Sequence, residues 1–142
     1  MIYTSKSPKD TKKLASKLAK KTKRLFHGKA AIIALEGELG AGKTTFVQGF
    51  AKAFGVKSKI KSPTFVLMKI YKKRPYAIYH IDCYRLKDYR DLLPLGIKDI
   101  FNNKDNIVLV EWADRISRIL PPKHTTIHID HIDSKTRKIS IK

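Results

Sequence analysis

The stretch Ala30-Ala-Ile-Ile-Ala-Leu35-Glu-Gly37-Glu-Leu-Gly40-Ala-Gly42-Lys43-Thr44-Thr45-Phe46 decides the fold. Its opening, Ala30–Leu35, is an unbroken apolar run, which reads as a central strand of a parallel sheet, buried on both faces. Its middle, Gly37 to Thr44, matches G-x-x-x-x-G-K-[ST] in full. Its tail opens a helix over Thr44–Phe54. Phe46, Val47, Phe50, Ala51 and Phe54 recur there at a spacing of three or four, and Gly55 stops the run.

A strand, a Gly-rich turn and an amphipathic helix in that order form a cradle for a triphosphate. The glycines let the backbone curl so that successive N–H groups point inward at phosphate oxygens. The helix N-terminus adds partial positive charge. The expected nucleotide contacts are Gly37, Glu38, Leu39, Gly40, Ala41, Gly42, Lys43, Thr44 and Thr45. Lys43 can reach the β- and γ-phosphates, and the Thr44 hydroxyl can bind Mg²⁺.

A metal held by Thr44 needs an acidic partner at the end of a neighbouring buried strand. Ile107-Val-Leu-Val110-Glu111 supplies an apolar run and then a carboxylate, so Glu111 is the second expected metal ligand. Asp82, in His80-Ile-Asp82-Cys-Tyr84-Arg85-Leu86, is a further candidate carboxylate, able to position water or a nucleophile. Its neighbour His80 is read as packed. Arg85 is read either as a phosphate ligand or as an ion-pair partner of Asp82 or Asp88. Ser62-Pro63-Thr64 is a hydroxyl-bearing loop that can sense a γ-phosphate, or an ordinary Ser-Pro turn.

Working outward, Ser7 is the expected N-cap of a first helix, with Pro8 at its first position and Asp10 three residues after the cap. Leu14, Ala15, Leu18, Ala19, Leu25 and Phe26 form its apolar face, and Gly28 ends it. Phe65–Tyr71 and Ala77–Tyr84 read as a hairpin turning at Lys72–Pro75. Asp88–Phe101 is irregular or helical, and Ala113–Leu120 is a helical stretch. Thr125–Ile132 and Lys138–Ile141 read as a final strand pair around Asp133–Arg137. The expected architecture is a single α/β domain over 1–142, with three layers and a mixed, mainly parallel sheet.

The bulk composition bounds the function. No apolar run approaches the roughly 20 residues that span a bilayer, and no secretory signal is read. The lone cysteine, Cys83, cannot form an internal disulfide, so a reducing cytoplasm is the expected setting. The net charge is +19, with 24 lysines against 7 arginines. Either the surface attracts a polyanion such as tRNA, or an A/T-rich coding bias has inflated lysine.

A GTP-binding switch protein carries D-x-x-G and N-K-x-D. No aspartate here has glycine three positions on, and Asn103-Lys104-Asp105-Asn106 ends in asparagine. ATP is therefore expected by elimination. A small-molecule kinase is a competing class, but the chain leaves little length for an acceptor site and lid. A tRNA-binding accessory module explains the charge but not the complete loop.

Five motifs stand in one order: Gly37–Thr44, Ser62-Pro63-Thr64-Phe65, His80 to Leu86, Leu93-Pro-Leu-Gly96-Ile97, and Val110-Glu111-Trp112-Ala-Asp114-Arg115. In this order they resemble the TsaE (YjeE-type) family of bacterial ATPases, from about Thr11 through the last strands. The resemblance implies a P-loop NTPase fold. It also implies a weak Mg²⁺-dependent ATPase in the biosynthesis of threonylcarbamoyladenosine, a modified base beside the tRNA anticodon. There it supports turnover of a TsaB–TsaD complex. It further implies that Lys43 and the loop amides hold phosphates, and that Thr44 and Glu111 hold Mg²⁺. Thr64 and Asp82 fall at switch-like catalytic positions, and Trp112 lies close to the nucleotide. Adenine contacts are expected near Thr4–Thr11 and Asp133–Arg137.

Overall fold

A computed structural model describes residues 1–24, 28–63 and 65–142. The expectations for Leu25, Phe26 and Thr64 fall outside them. The elements are β1 (Ile2–Ser5), α1 (Pro8–Arg24), β2 (Ala31–Glu36), α2 (Lys43–Ala53), β3 (Met68–Lys73), β4 (Tyr76–Asp82), α3 (Ile97–Asn102), β5 (Asn106–Glu111), β6 (Thr125–His131) and β7 (Arg137–Ile141). Two 3₁₀ segments, Tyr89–Leu95 and Ala113–Ile116, complete them.

The strands form one sheet in the order β1-β7-β6-β2-β5-β4-β3. The four inner strands, β6, β2, β5 and β4, run parallel, while antiparallel strands close both edges. The inner strands bury both faces. On one face Ile33, Leu35, Ile78, Ile107, Leu109 and Ile127 pack under α1 and α2. On the other, Ile32, Ala34, Ile81, Val108 and Val110 pack under the 3₁₀ segments and α3. This is the three-layer α/β arrangement with a mixed sheet that the sequence predicts.

The first helix starts as its sequence implies. Ser7 Oγ accepts the Asp10 amide at 3.1 Å, and the Asp10 carboxylate accepts the Lys6 amide at 3.0 Å. Helix α1 crosses α2 at Gly49, where an added Cβ would lie 2.6 Å from both Cα and O of Lys12. Glycine there lets two backbones touch.

Three elements depart from the sequence reading. β1 was not foreseen, because Ile2–Ser5 is short and three of its residues are exposed; it forms by pairing with β7. The first hairpin strand begins at Met68 rather than Phe65. Pro63 O instead accepts the amides of Val66 and Leu67, and Leu67 adopts a left-handed φ of 67°. The stretch after Glu111 forms a 3₁₀ turn only to Ile116. Among the described residues no helix is long and apolar enough to cross a membrane.

Candidate functional site

The carboxyl ends of three parallel strands bring the candidate side chains together. Leu35 on β2 pairs in register with Glu111 on β5, and Glu111 pairs with Asp82 on β4. The two carboxylates therefore stand side by side on one sheet face, beside the loop that leaves β2. Open parallel sheets bind ligands at this edge.

The loop backbone follows from its glycines. Gly37 has φ 142°, and a Cβ there would meet Ile129 O at 2.4 Å, so the loop lies against β6 without room for a side chain. Gly42, at φ 107°, is the N-cap of α2 and offers no side-chain cap. The first amides of α2 thus face the loop's concavity, where an anion gains from both the N–H groups and the helix dipole. Leu39 is exposed and Ala41 is buried. Thr45 is half-buried on the first turn of α2.

Lys43 is nearly fully buried. Its ammonium donates to Gly37 O at 2.6 Å and to Glu38 O at 2.8 Å, spanning the loop. It also lies 4.2 Å from the Trp112 ring centroid. Burial lowers its pKa from the ordinary lysine value, while Glu111, Asp82 and Asp114 push it back up. A lysine held in this way is a cation aimed at the space between the loop and the acidic strand ends.

Thr44 Oγ1 lies 3.0 Å from both carboxylate oxygens of Glu111. On its other side Glu111 Oε2 meets His80 Nε2 at 2.6 Å. His80 is fully buried, and its Nδ1 has no hydrogen-bond partner among the described residues. His80 is thus more than core packing: it steadies the Glu111 carboxylate from behind. The signal was available in part, since His80 and Asp82 alternate on one strand face. Only the pairing of β4 with β5 shows that this face meets Glu111.

Asp82 is nearly buried. Its Oδ1 accepts the Tyr84 amide at 2.9 Å, and its Oδ2 accepts the Ser62 hydroxyl. The Asp82 amide in turn donates to Leu67 O at 2.9 Å. Ser62 and Leu67 are therefore both tied to Asp82. Arg85 lies over the Phe65 ring at 4.3 Å, and among the described residues it forms no ion pair with Asp82 or Asp88.

Trp112 takes a left-handed φ of 58°, a conformation that costs an L-residue about 1 kcal/mol. In this conformation its indole lies against Lys43 and against Tyr84, whose ring centroid is 5.0 Å away. The two segments expected to contact adenine also come to this edge. Ser5 pairs with Arg137, and Arg137 Nε donates to Ala41 O in the loop at 3.1 Å. Sequence reasoning did not foresee that link.

Cys83 follows Asp82 and is fully buried. Burial foremost, then the Asp82 charge, pushes its thiol up to about 12. At pH 8 only about one such thiol in 10⁴ is ionised, and thiolate is the reactive form. Ellman's reagent should therefore leave the native protein unlabelled over a period in which the urea-unfolded chain reacts fully. Rapid native labelling would mean that the end of β4 opens readily.

The donors that converge are a hydroxyl and carboxylates. Among the described residues no three His, Cys, Asp or Glu side chains gather as a metal cage. Mg²⁺ is commonly held in this way, by one or two protein oxygens with substrate phosphates and water completing the shell, so Thr44 and Glu111 fit that ion.

Comparison with known proteins agrees with the fold and the motif order. The profile of the family described as "Threonylcarbamoyl adenosine biosynthesis protein TsaE" matches residues 5–139. The tRNA threonylcarbamoyladenosine biosynthesis protein TsaE of Rickettsia conorii is 38% identical over 141 residues, covering 99% of this chain and 77% of the relative. The protein of the same name from Bacillus subtilis is 36% identical over 134 residues, covering 94% and 80%. The crystal structure of Bacillus subtilis YdiB superposes with a TM-score of 0.77 at 31% identity, covering 99% of this chain and 83% of that one. The chain belongs to the TsaE family, whose named members act in tRNA threonylcarbamoyladenosine biosynthesis.

Proposed function

We propose that this protein is a weak Mg²⁺-dependent ATPase that supports turnover of a TsaB–TsaD complex in tRNA threonylcarbamoyladenosine biosynthesis. The observation that carries the reading is the meeting of Thr44 and Glu111 at 3.0 Å beside a buried Lys43 in a complete phosphate loop. ATP rather than GTP is supported by the lack of both guanine motifs in the sequence.

In this reading the amides of Gly37–Thr45 and the Lys43 ammonium hold the phosphates, and Thr44 and Glu111 hold the metal. Bound Mg²⁺ supplies charge neutralisation at the phosphate oxygens. His80 keeps the Glu111 carboxylate turned toward Thr44. Asp82, fixed by the Tyr84 amide and Ser62, positions the attacking water, and Thr64 responds to the γ-phosphate. Trp112 flanks the nucleotide. Arg137 and the segment Thr4–Thr11 are suited to the adenine side. A cytoplasmic setting, with tRNA reached directly or through the complex, completes the proposal.

The test is a pull-down with and without ATP, together with hydrolysis assays alone and with added TsaB–TsaD. Co-purification of the pair and faster ATP turnover in its presence are expected. Glu111→Ala should abolish hydrolysis and remove the ability of Mg²⁺ to tighten nucleotide binding. If Mg²⁺ strengthens ATP binding to Glu111→Ala as it does in the parent, the metal assignment is wrong.

A further inference from the structure

Three of the 7 arginines, Arg90, Arg115 and Arg118, line one small polar cleft with Lys87, Asp88 and Ser117. Arginine is the more informative cation, because its planar fork matches phosphate geometry and stacks on rings.

Asp88 is the one acid in the lining, and Arg90 occupies it. The Arg90 amide, Nε and Nη2 donate to Asp88 at 2.8, 3.0 and 2.8 Å. These contacts hold the Asp88 carboxyl at about 2, so it remains an anion committed to Arg90. Among the described residues no carboxylate lies within ion-pair reach of Lys87, Arg115 or Arg118, and all three are exposed. Arg115 is pre-positioned, 5.4 Å from the Trp112 centroid and 5.7 Å from that of Tyr84. Asp88 feels the Arg118 charge at longer range, but one carboxylate faces four cations in this cleft, and a bound anion relieves their mutual repulsion.

We infer that the Lys87–Arg115–Arg118 cleft binds phosphodiester groups of an RNA strand, at a site beside the nucleotide loop but separate from it. A strand rather than a single phosphate is favoured because the net charge of +19 attracts a polyanion far more strongly than a small ion. RNA rather than an acidic peptide is favoured because Tyr89 lines the cleft and exposed Tyr84 lies beside Arg115, rings on which an unpaired base can stack.

The experiment uses the full chain without nucleotide, so a failure of the ATP reading leaves it unaffected. A fluorescein-labelled single-stranded RNA is titrated by anisotropy across a salt series. Lys87→Gln/Arg118→Gln is compared with Lys13→Gln/Lys17→Gln, an equal charge change on exposed α1. The cleft pair should weaken binding about 10-fold near 0.15 M salt and lower the log–log salt slope by about 1.4, at about 0.7 per lost contact. The α1 pair should change affinity less than about 3-fold. Equal losses from both pairs, or no RNA binding by the parent chain, overturn the assignment. So does displacement of the RNA by inorganic phosphate at unchanged ionic strength, which would mark a single-phosphate site. Competition by polyglutamate as effective as by unlabelled RNA would equally assign the cleft to an acidic protein and overturn it.

Discussion

Replacing Lys43 with alanine should lower ATP affinity about 100-fold or more, roughly 3 kcal/mol. The physical reason is the position of the ammonium. It is nearly buried, and it is held by two loop carbonyls at 2.6 and 2.8 Å. A charge-assisted hydrogen bond to phosphate is worth about 1.5–3 kcal/mol where water is excluded, and this cation can make more than one. No other lysine or arginine donates to the carbonyls of Gly37 and Glu38 among the described residues, so no neighbour replaces it.

Lys43→Met, which keeps most of the side-chain volume, should lose affinity to the same degree. Lys43→Arg should not restore it, since a planar guanidinium presents its donors in a fixed fork rather than as the compact ammonium that the two loop carbonyls hold. Binding is measured by isothermal titration calorimetry, with thermal melts to confirm folding. The single tryptophan, 4.2 Å from the ammonium, gives a second optical signal. Near-parental ATP affinity in Lys43→Met would end the phosphate-loop assignment.

The largest expected effect on stability lies away from the site. Gly49→Val should destabilise the fold by about 3 kcal/mol or more, a loss of roughly 10 °C in melting temperature. A Cβ at residue 49 would sit 2.6 Å from Cα and O of Lys12, and 2.9 Å from its carbonyl carbon. These are backbone atoms of α1, which no rotamer change can move. The two helices must part, and Ala15, Ala19, Phe46, Val47 and Phe50 lose contacts between them. Glycine in a helix interior ordinarily costs about 1 kcal/mol relative to alanine. Here the close crossing repays that cost. Urea denaturation of parent, Gly49→Ala and Gly49→Val measures the series. A valine variant within about 0.5 kcal/mol of the parent would mean that the crossing is looser than the geometry requires.

Much of the site was legible because its signals are local. The glycine spacing from Gly37 to Gly42, the following Lys43-Thr44 and the apolar runs before Gly37 and Glu111 are consequences of short-range geometry. A loop curling around phosphate needs glycine, and a strand buried on both faces needs continuous apolar residues. The capping of α1 by Ser7 was legible for the same reason. Elements whose stability comes from a distant partner were not. β1 is short and exposed and exists because β7 lies beside it. The start of β3 shifted for another reason that alternation does not carry: Pro63 O takes the amides of Val66 and Leu67, and Leu67 turns left-handed, so the chain straightens only at Met68.

The sequence by itself therefore determined the glycine loop between β2 and α2, the buried runs of β2 and β5, and the identity of the acidic residue at the end of β5. Each is set by neighbours a few positions away along the chain. The tertiary structure alone decided that Asp82 stands in register with Glu111, that buried His80 meets Glu111 from behind, and that Arg137 bonds the loop carbonyl of Ala41. These depend on strand order and register, which hydrophobic pattern leaves open when strands are buried on both faces, because such strands carry no alternation to fix which side chains meet.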